Sequence, residues 1–146
     1  MQRFVVCVTV LMIAWLGATG IAQMKITTGE EYAKVMRSTA QAFGGVTNAI
    51  AAGGFADARA RLATAREGFV ALEGFWADKK RDDAVGIVKS ALTQLEAFDK
   101  LLAAETVSRS ATLGVTKQVQ GACAACHALY REGDNQTGFR FRVGVL

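Results

Sequence analysis

The chain has 146 residues, enough for one domain, and its 17 lysines and arginines exceed its 13 acids by only four. That excess is too small and too scattered for a nucleic-acid binder, which concentrates basic side chains on one face. Proline is absent, and three cysteines stand beside a single histidine, so any site built on thiols and imidazole has few residues to draw on.

Residues 1–22 read as a secretory signal. Arg3 precedes an apolar run over residues 4–16, and small residues then lead to Ile21 and Ala22, after which cleavage is expected. The other use of this segment, an uncleaved anchor, needs about 20 apolar residues, and Gly17, Ala18, Thr19 and Gly20 interrupt the run where processing would occur. Cys7, Met1 and Met12 leave with the signal. The expected mature chain, residues 23–146, is exported to an oxidising, periplasmic setting and has no stable membrane insertion. Loss of Arg3 lowers the basic count from 17 to 16 against 13 acids, a net charge of +3.

From Tyr32 onward apolar residues recur at helical spacing, and the expected fold class is all-α. Thr28-Gly29-Glu30-Glu31 is a capping-box start. Behind it Tyr32, Met36, Thr39, Phe43, Val46 and Ile50 alternate steps of four and three until Gly53-Gly54 stops the helix. A second helix, from about Phe55 to Trp76, repeats the spacing with Ala58, Leu62, Ala65, Phe69 and Leu72. The charged run over residues 77–83 predicts a loop, with Asp82 or Asp83 capping a third helix on Val85, Val88, Leu92, Leu95, Phe98 and Leu102. A fourth starts near Ser108 or Ser110 and runs to about Glu132, ended by Gly133-Asp134-Asn135. Four such helices with short connections predict an antiparallel up-down-up-down four-helix bundle. The tail, residues 137–146, alternates apolar and basic residues; it reads equally as an extended segment on the bundle end or as a frayed terminus.

Inside the fourth helix lies Cys123-Ala124-Ala125-Cys126-His127. Cys-x-x-Cys-His is the attachment signature of c-type haem, in which the thiols add to the haem vinyl groups and the imidazole binds iron. On a helix, Cys123, Cys126, His127 and Tyr130 fall at i, i+3, i+4 and i+7, so all leave from one face. Gly121, Ala122, Ala124 and Ala125 are small enough to let a porphyrin approach the backbone. Other uses of the pair fit less well. A thioredoxin-like dithiol needs a βαβ setting and a helix amino terminus. Zinc needs a fourth ligand from Asp or Glu once Cys7 is gone. A structural disulfide is the remaining alternative.

The motif's place narrows the family. Small c-type cytochromes with the motif near the start draw the second iron ligand from a downstream methionine, and no methionine follows His127. A motif on the last helix of a bundle, continued by Tyr130-Arg131, resembles the class II c-type cytochromes, the cytochrome c prime family, over residues 28–132. The resemblance implies a haem among the four helices, one per chain, with His127 as proximal ligand, Cys123 and Cys126 as thioether anchors, and Arg131 near the proximal histidine and a propionate. It implies that the opposite iron face meets a side chain of the first helix. Met36 is the only methionine embedded in a mature helix, in a stretch similar to the family's Arg-Gln-x-x-Met, with Tyr32 and Ala33 in the Arg and Gln positions. Methionine also serves as ordinary core filling.

If Met36 ligates, the iron has no open position and the protein is an electron carrier serving a redox partner protein. If it only fills space, the iron is five-coordinate and binds gases such as nitric oxide or carbon monoxide. No carboxylate pair, second histidine or nucleophile–base couple is visible, so catalysis is not expected. Lys117, Arg131, Arg140 and Arg142 read either as a basic docking patch or as a solvated tail. Family members dimerise through the first two helices, so the resemblance leaves a homodimer and a monomer both open.

Overall fold

The structure is a computed structural model that describes residues 24–134 and 136–146. The expected signal segment, residues 1–22, lies outside the described residues. Among the described residues four helices carry the fold: α1 (Gly29–Ala51), α2 (Phe55–Asp78), α3 (Asp82–Leu102) and α4 (Arg109–Tyr130). None is long and apolar enough to cross a membrane.

The start of α1 is the capping box read from the sequence. Thr28 Oγ1 accepts from the Glu31 N–H at 3.1 Å, and the Glu31 carboxylate accepts in return from the N–H groups of Thr28 and Thr27. These donors satisfy groups that a helix start leaves unpaired. Gly53 then reverses the chain at a φ of 78°, a conformation that favours glycine.

At α3 the expectation needs correction. Neither Asp82 nor Asp83 caps the helix; Arg81 holds the N-cap position without a side-chain bond, and both aspartates lie in the first turn. There their charges oppose the positive end of the helix dipole, and Asp83 pairs with Arg81 at 3.2 Å. The expected loop over 77–83 shrinks to residues 79–81, because Ala77 and Asp78 continue α2. The inward stripe of α3 is also turned: Ala84, Val88 and Ala91 are buried, while Val85 and Leu92 are half-buried. Small alanines on the inner face let neighbouring helices approach.

Ser108 caps α4, its hydroxyl accepting from the Ala111 N–H at 3.3 Å. The helix stops at Tyr130, two residues before the expected Glu132. Arg131 is extended and opens a short antiparallel ladder, β1 (Arg131–Glu132) with β2 (Arg140–Phe141). The tail is therefore the extended segment of the two sequence readings, and the fold is a four-helix bundle with one small hairpin. Asp134 shapes the turn, its Oδ1 accepting from the N–H groups of Gln136 and Thr137. Gly133 takes a positive φ of 86°, and a Cβ there would strike the Gly138 carbonyl.

Contacts between helices run in opposite directions along each pair, as an antiparallel bundle requires. Along α1 and α2, Tyr32 meets Phe75, Thr39 lies under Gly68, and Gly45 lies against Arg61. Along α2 and α3, ion pairs join Glu73 to Lys89, Arg66 to Glu96 and Arg59 to Asp99. These pairs lie at the surface, with only Glu73 half-buried, and water screens them, so they add little to stability. Enclosed Trp76, Phe75, Phe98, Leu62 and Leu72 contribute roughly 1.5–3 kcal/mol apiece, so apolar burial holds the bundle together. At Gly68 α2 passes close to α1. A Cβ there would strike the Thr39 hydroxyl, which is fixed by donating to the Val35 carbonyl at 2.8 Å.

Close backbone packing follows chain order: α1 on α2, α2 on α3, α3 on α4. Helices α1 and α4 make no comparably close seam. The site lies there.

Candidate functional site

The inner face of α4 is buried at Thr112, Thr116 and Val119, and again at Tyr130. Between them it opens. Ala122, Cys123, Cys126 and His127 are only half-buried, although they continue the same stripe. The spacing of the motif thus places both sulfurs and the imidazole on one face, turned inward but not sealed by packing.

That face lines a narrow cavity of about 20 Å3 to which every helix contributes: Tyr32 and Met36 from α1, Phe69 and Leu72 from α2, Val88 and Ala91 from α3. It has room for about one water molecule. On the other side of Met36 and His127 lies a wider groove of about 330 Å3 between α1 and the end of α4. Tyr32, Met36 and His127 line both spaces and form a thin partition between them. Met36 and His127 thus share the walls of both spaces. A third, open hollow of about 510 Å3 lies on the outer side of Cys123, His127 and Arg131.

The electrostatics of the motif are set mainly by burial. It pushes the Cys123 thiol up and raises Cys126 to about 11, with the negative charges of an ionised Cys123 and of Asp83 adding to the second shift. His127 is lowered from its ordinary 6.5, first by burial and then by the positive charge of Arg131. At neutral pH the thiols are protonated and the imidazole is neutral, with a lone pair free for a metal. Exchange chemistry needs a thiolate, so this is a poor setting for a thioredoxin-like dithiol. Both thiols are free. Among the described residues no three His, Cys, Asp or Glu side chains converge closely enough to hold a metal ion, so the extra carboxylate a zinc site needs is not in place.

Arg131 lies just beyond α4, in β1. Its guanidinium stands 4.1 Å from the centre of the Phe139 ring and it lines both the groove and the outer hollow. The hairpin itself was not foreseen as part of the site. Phe139, Arg140 and Phe141 form one wall of the groove, and Phe141 stacks on Phe75 at 6.0 Å and meets Tyr32 at 4.7 Å. The alternating apolar and basic residues of the tail were the available signal. Beneath it lie Trp76 and Tyr130, 4.7 Å apart between ring centres. The Trp76 indole N–H and the Tyr130 hydroxyl are enclosed without well-aligned hydrogen-bond partners.

The lowered pKa of His127 makes the cofactor-free chain pH-sensitive. Below an unfolded value of about 6.5 the unfolded chain binds a proton that the folded chain resists, so stability falls as pH drops toward the folded value. Denaturant midpoints of the cofactor-free chain at a series of pH values are expected to decline through this window, and His127→Gln is expected to flatten the decline.

What this arrangement can hold is a flat, mostly apolar ligand with partners for two thiols, one imidazole and one thioether. The donor set and the open seam fit a haem attached through Cys123 and Cys126; the inner cavity alone is too small for one, and the groove is within the range of small-ligand sites. No protein-family model, curated protein or solved structure matches this chain.

Proposed function

We propose that this chain is an exported monohaem cytochrome of the class II c-type kind, passing single electrons between redox partner proteins. The observation that carries the reading is the joint placement of Cys123, Cys126 and His127 on the one unsealed stretch of α4, facing Met36 across a seam that helix packing leaves open. When bound, the haem supplies a one-electron couple between ferric and ferrous iron.

The chain's own residues do the rest. Cys123 and Cys126 fix the ligand to α4 by two bonds one helical turn apart. His127, neutral through burial, would hold the iron through its imidazole, and Met36 would hold it through its thioether. Phe69, Leu72, Val88 and Ala91 keep water from the inner edge, and in so apolar a setting the less charged, reduced state gains. Arg131 adds positive charge near His127 in the same sense.

Absorption spectra of the purified oxidised and reduced protein test the reading. Low-spin spectra in both states, from pigment that stays with the polypeptide in a denaturing gel, are expected. Pigment extracted by acidified organic solvent would refute covalent attachment. A high-spin spectrum with ready carbon monoxide uptake would instead establish the five-coordinate gas binder.

A further inference from the structure

The groove between α1 and the end of α4 has an apolar floor and a basic rim. Tyr32, Met36 and Phe141 line its depth, while Arg37 from α1, Arg131 from β1 and Arg140 from β2 bring three positive charges to it. Among the described residues no acidic side chain lines it. A groove apolar within and triply cationic at the edge suits a ligand with a flat apolar body and an anionic rim.

Each guanidinium has donors to spare. Arg140 gives Glu132 only its Nε, at 2.9 Å, so among the described residues its two Nη ends have no other partner. Arg131 lies over the face of Phe139 and makes no ion pair with any described residue. Arg37 makes no ion pair with any described residue. Guanidinium groups bind carboxylates through two parallel hydrogen bonds.

We infer that Arg37 and Arg140 close on the propionate carboxylates of the bound haem from opposite sides of the groove, so that the C-terminal hairpin is a working wall of the cofactor site. This rests on the haem reading above. The hairpin is held in place from two directions, since Phe141 is packed among Tyr32, Phe75 and Trp76, and the Arg142 N–H donates to the Tyr130 carbonyl at 2.9 Å. Arg140 is thereby fixed beside the end of α4 while its side chain stays reachable from the groove.

Two measurements on the haem-loaded full chain test this, in wild type, Arg37→Gln, Arg140→Gln and the double variant. The first is the propionate bending band of the resonance Raman spectrum, which follows hydrogen bonding to the carboxylates. The second is the reduction potential, since removing positive charge near the iron favours the ferric state. The expected result is a band shift in each single variant, a larger one in the double, and a lower potential in all three. The spin-state bands should not move. A potential that falls while the propionate band stays put would mean that the arginines act only through their distant field, and would overturn the clamp. Wild-type values of both in the double variant would overturn it as well, with the haem reading intact. A chain that retains no covalent pigment removes the haem reading and the clamp together.

Discussion

Cys123→Ala combined with Cys126→Ala is expected to eliminate pigment that survives denaturation and to loosen one end of the molecule. The first effect is all-or-none, because no other described residue has a thiol. The second follows from where the core is closed. Away from the motif, Val46, Leu62, Leu95 and Phe98 are fully enclosed by other side chains, and that half does not need a cofactor to exclude water. At the motif end the stripe from Ala122 to His127 is half-buried, and a haem there would cover apolar surface worth about 25 cal/mol per Å2. Limited proteolysis should therefore cut the double variant within the last turns of α4 or the hairpin while the rest of the bundle persists. A melt as sharp and as high as that of the haem-loaded protein would show that side chains alone complete this end.

Met36→Ala is expected to change the iron's spin state while costing little stability. Truncating a fully buried methionine costs about 2–5 kcal/mol, but Met36 is half-buried, so the loss should fall near or below the bottom of that range. The spectroscopic effect is not graded in this way. With the thioether gone, no described methionine other than exposed Met24 is present, and the iron should become high-spin and five-coordinate. It should lose its weak long-wavelength sulfur-to-iron band, fall in potential and bind carbon monoxide. Wild-type protein that already behaves so would falsify ligation by Met36 and make this side chain a filler of the partition beside Tyr32.

The parts of this molecule that are legible in the sequence are those that local chemistry decides. The Thr28–Glu31 capping box, the Gly53 reversal and the motif spacing each involve residues within one or two turns. The misplaced start of α3 shows the limit of that reasoning. Asp82 and Asp83 are good caps by type, yet Arg81 takes the cap position and both acids fall in the first turn instead. The hairpin is harder still. The pairing of Arg131 with Phe141 depends on Phe141 finding Tyr32 and Phe75, which come from two other helices. No window of sequence around the tail contains that information. The groove is unreadable for the same reason: Arg131 and Arg140 stand out in the sequence, but nothing local brings Arg37 of the first helix to them.

The order in which the helices pack has a kinetic consequence. Because each helix lies against the one before it, most of the bundle's interior can form by successive zipping of near neighbours, with little loop-closure entropy to overcome. Such topologies fold in about microseconds to milliseconds. The single junction that would bring the first and last helices together is the one left loose, so a newly made chain can reach a nearly finished scaffold with that side still ajar. A rigid guest can then enter laterally, between two walls already standing, without any helix having to unravel to admit it.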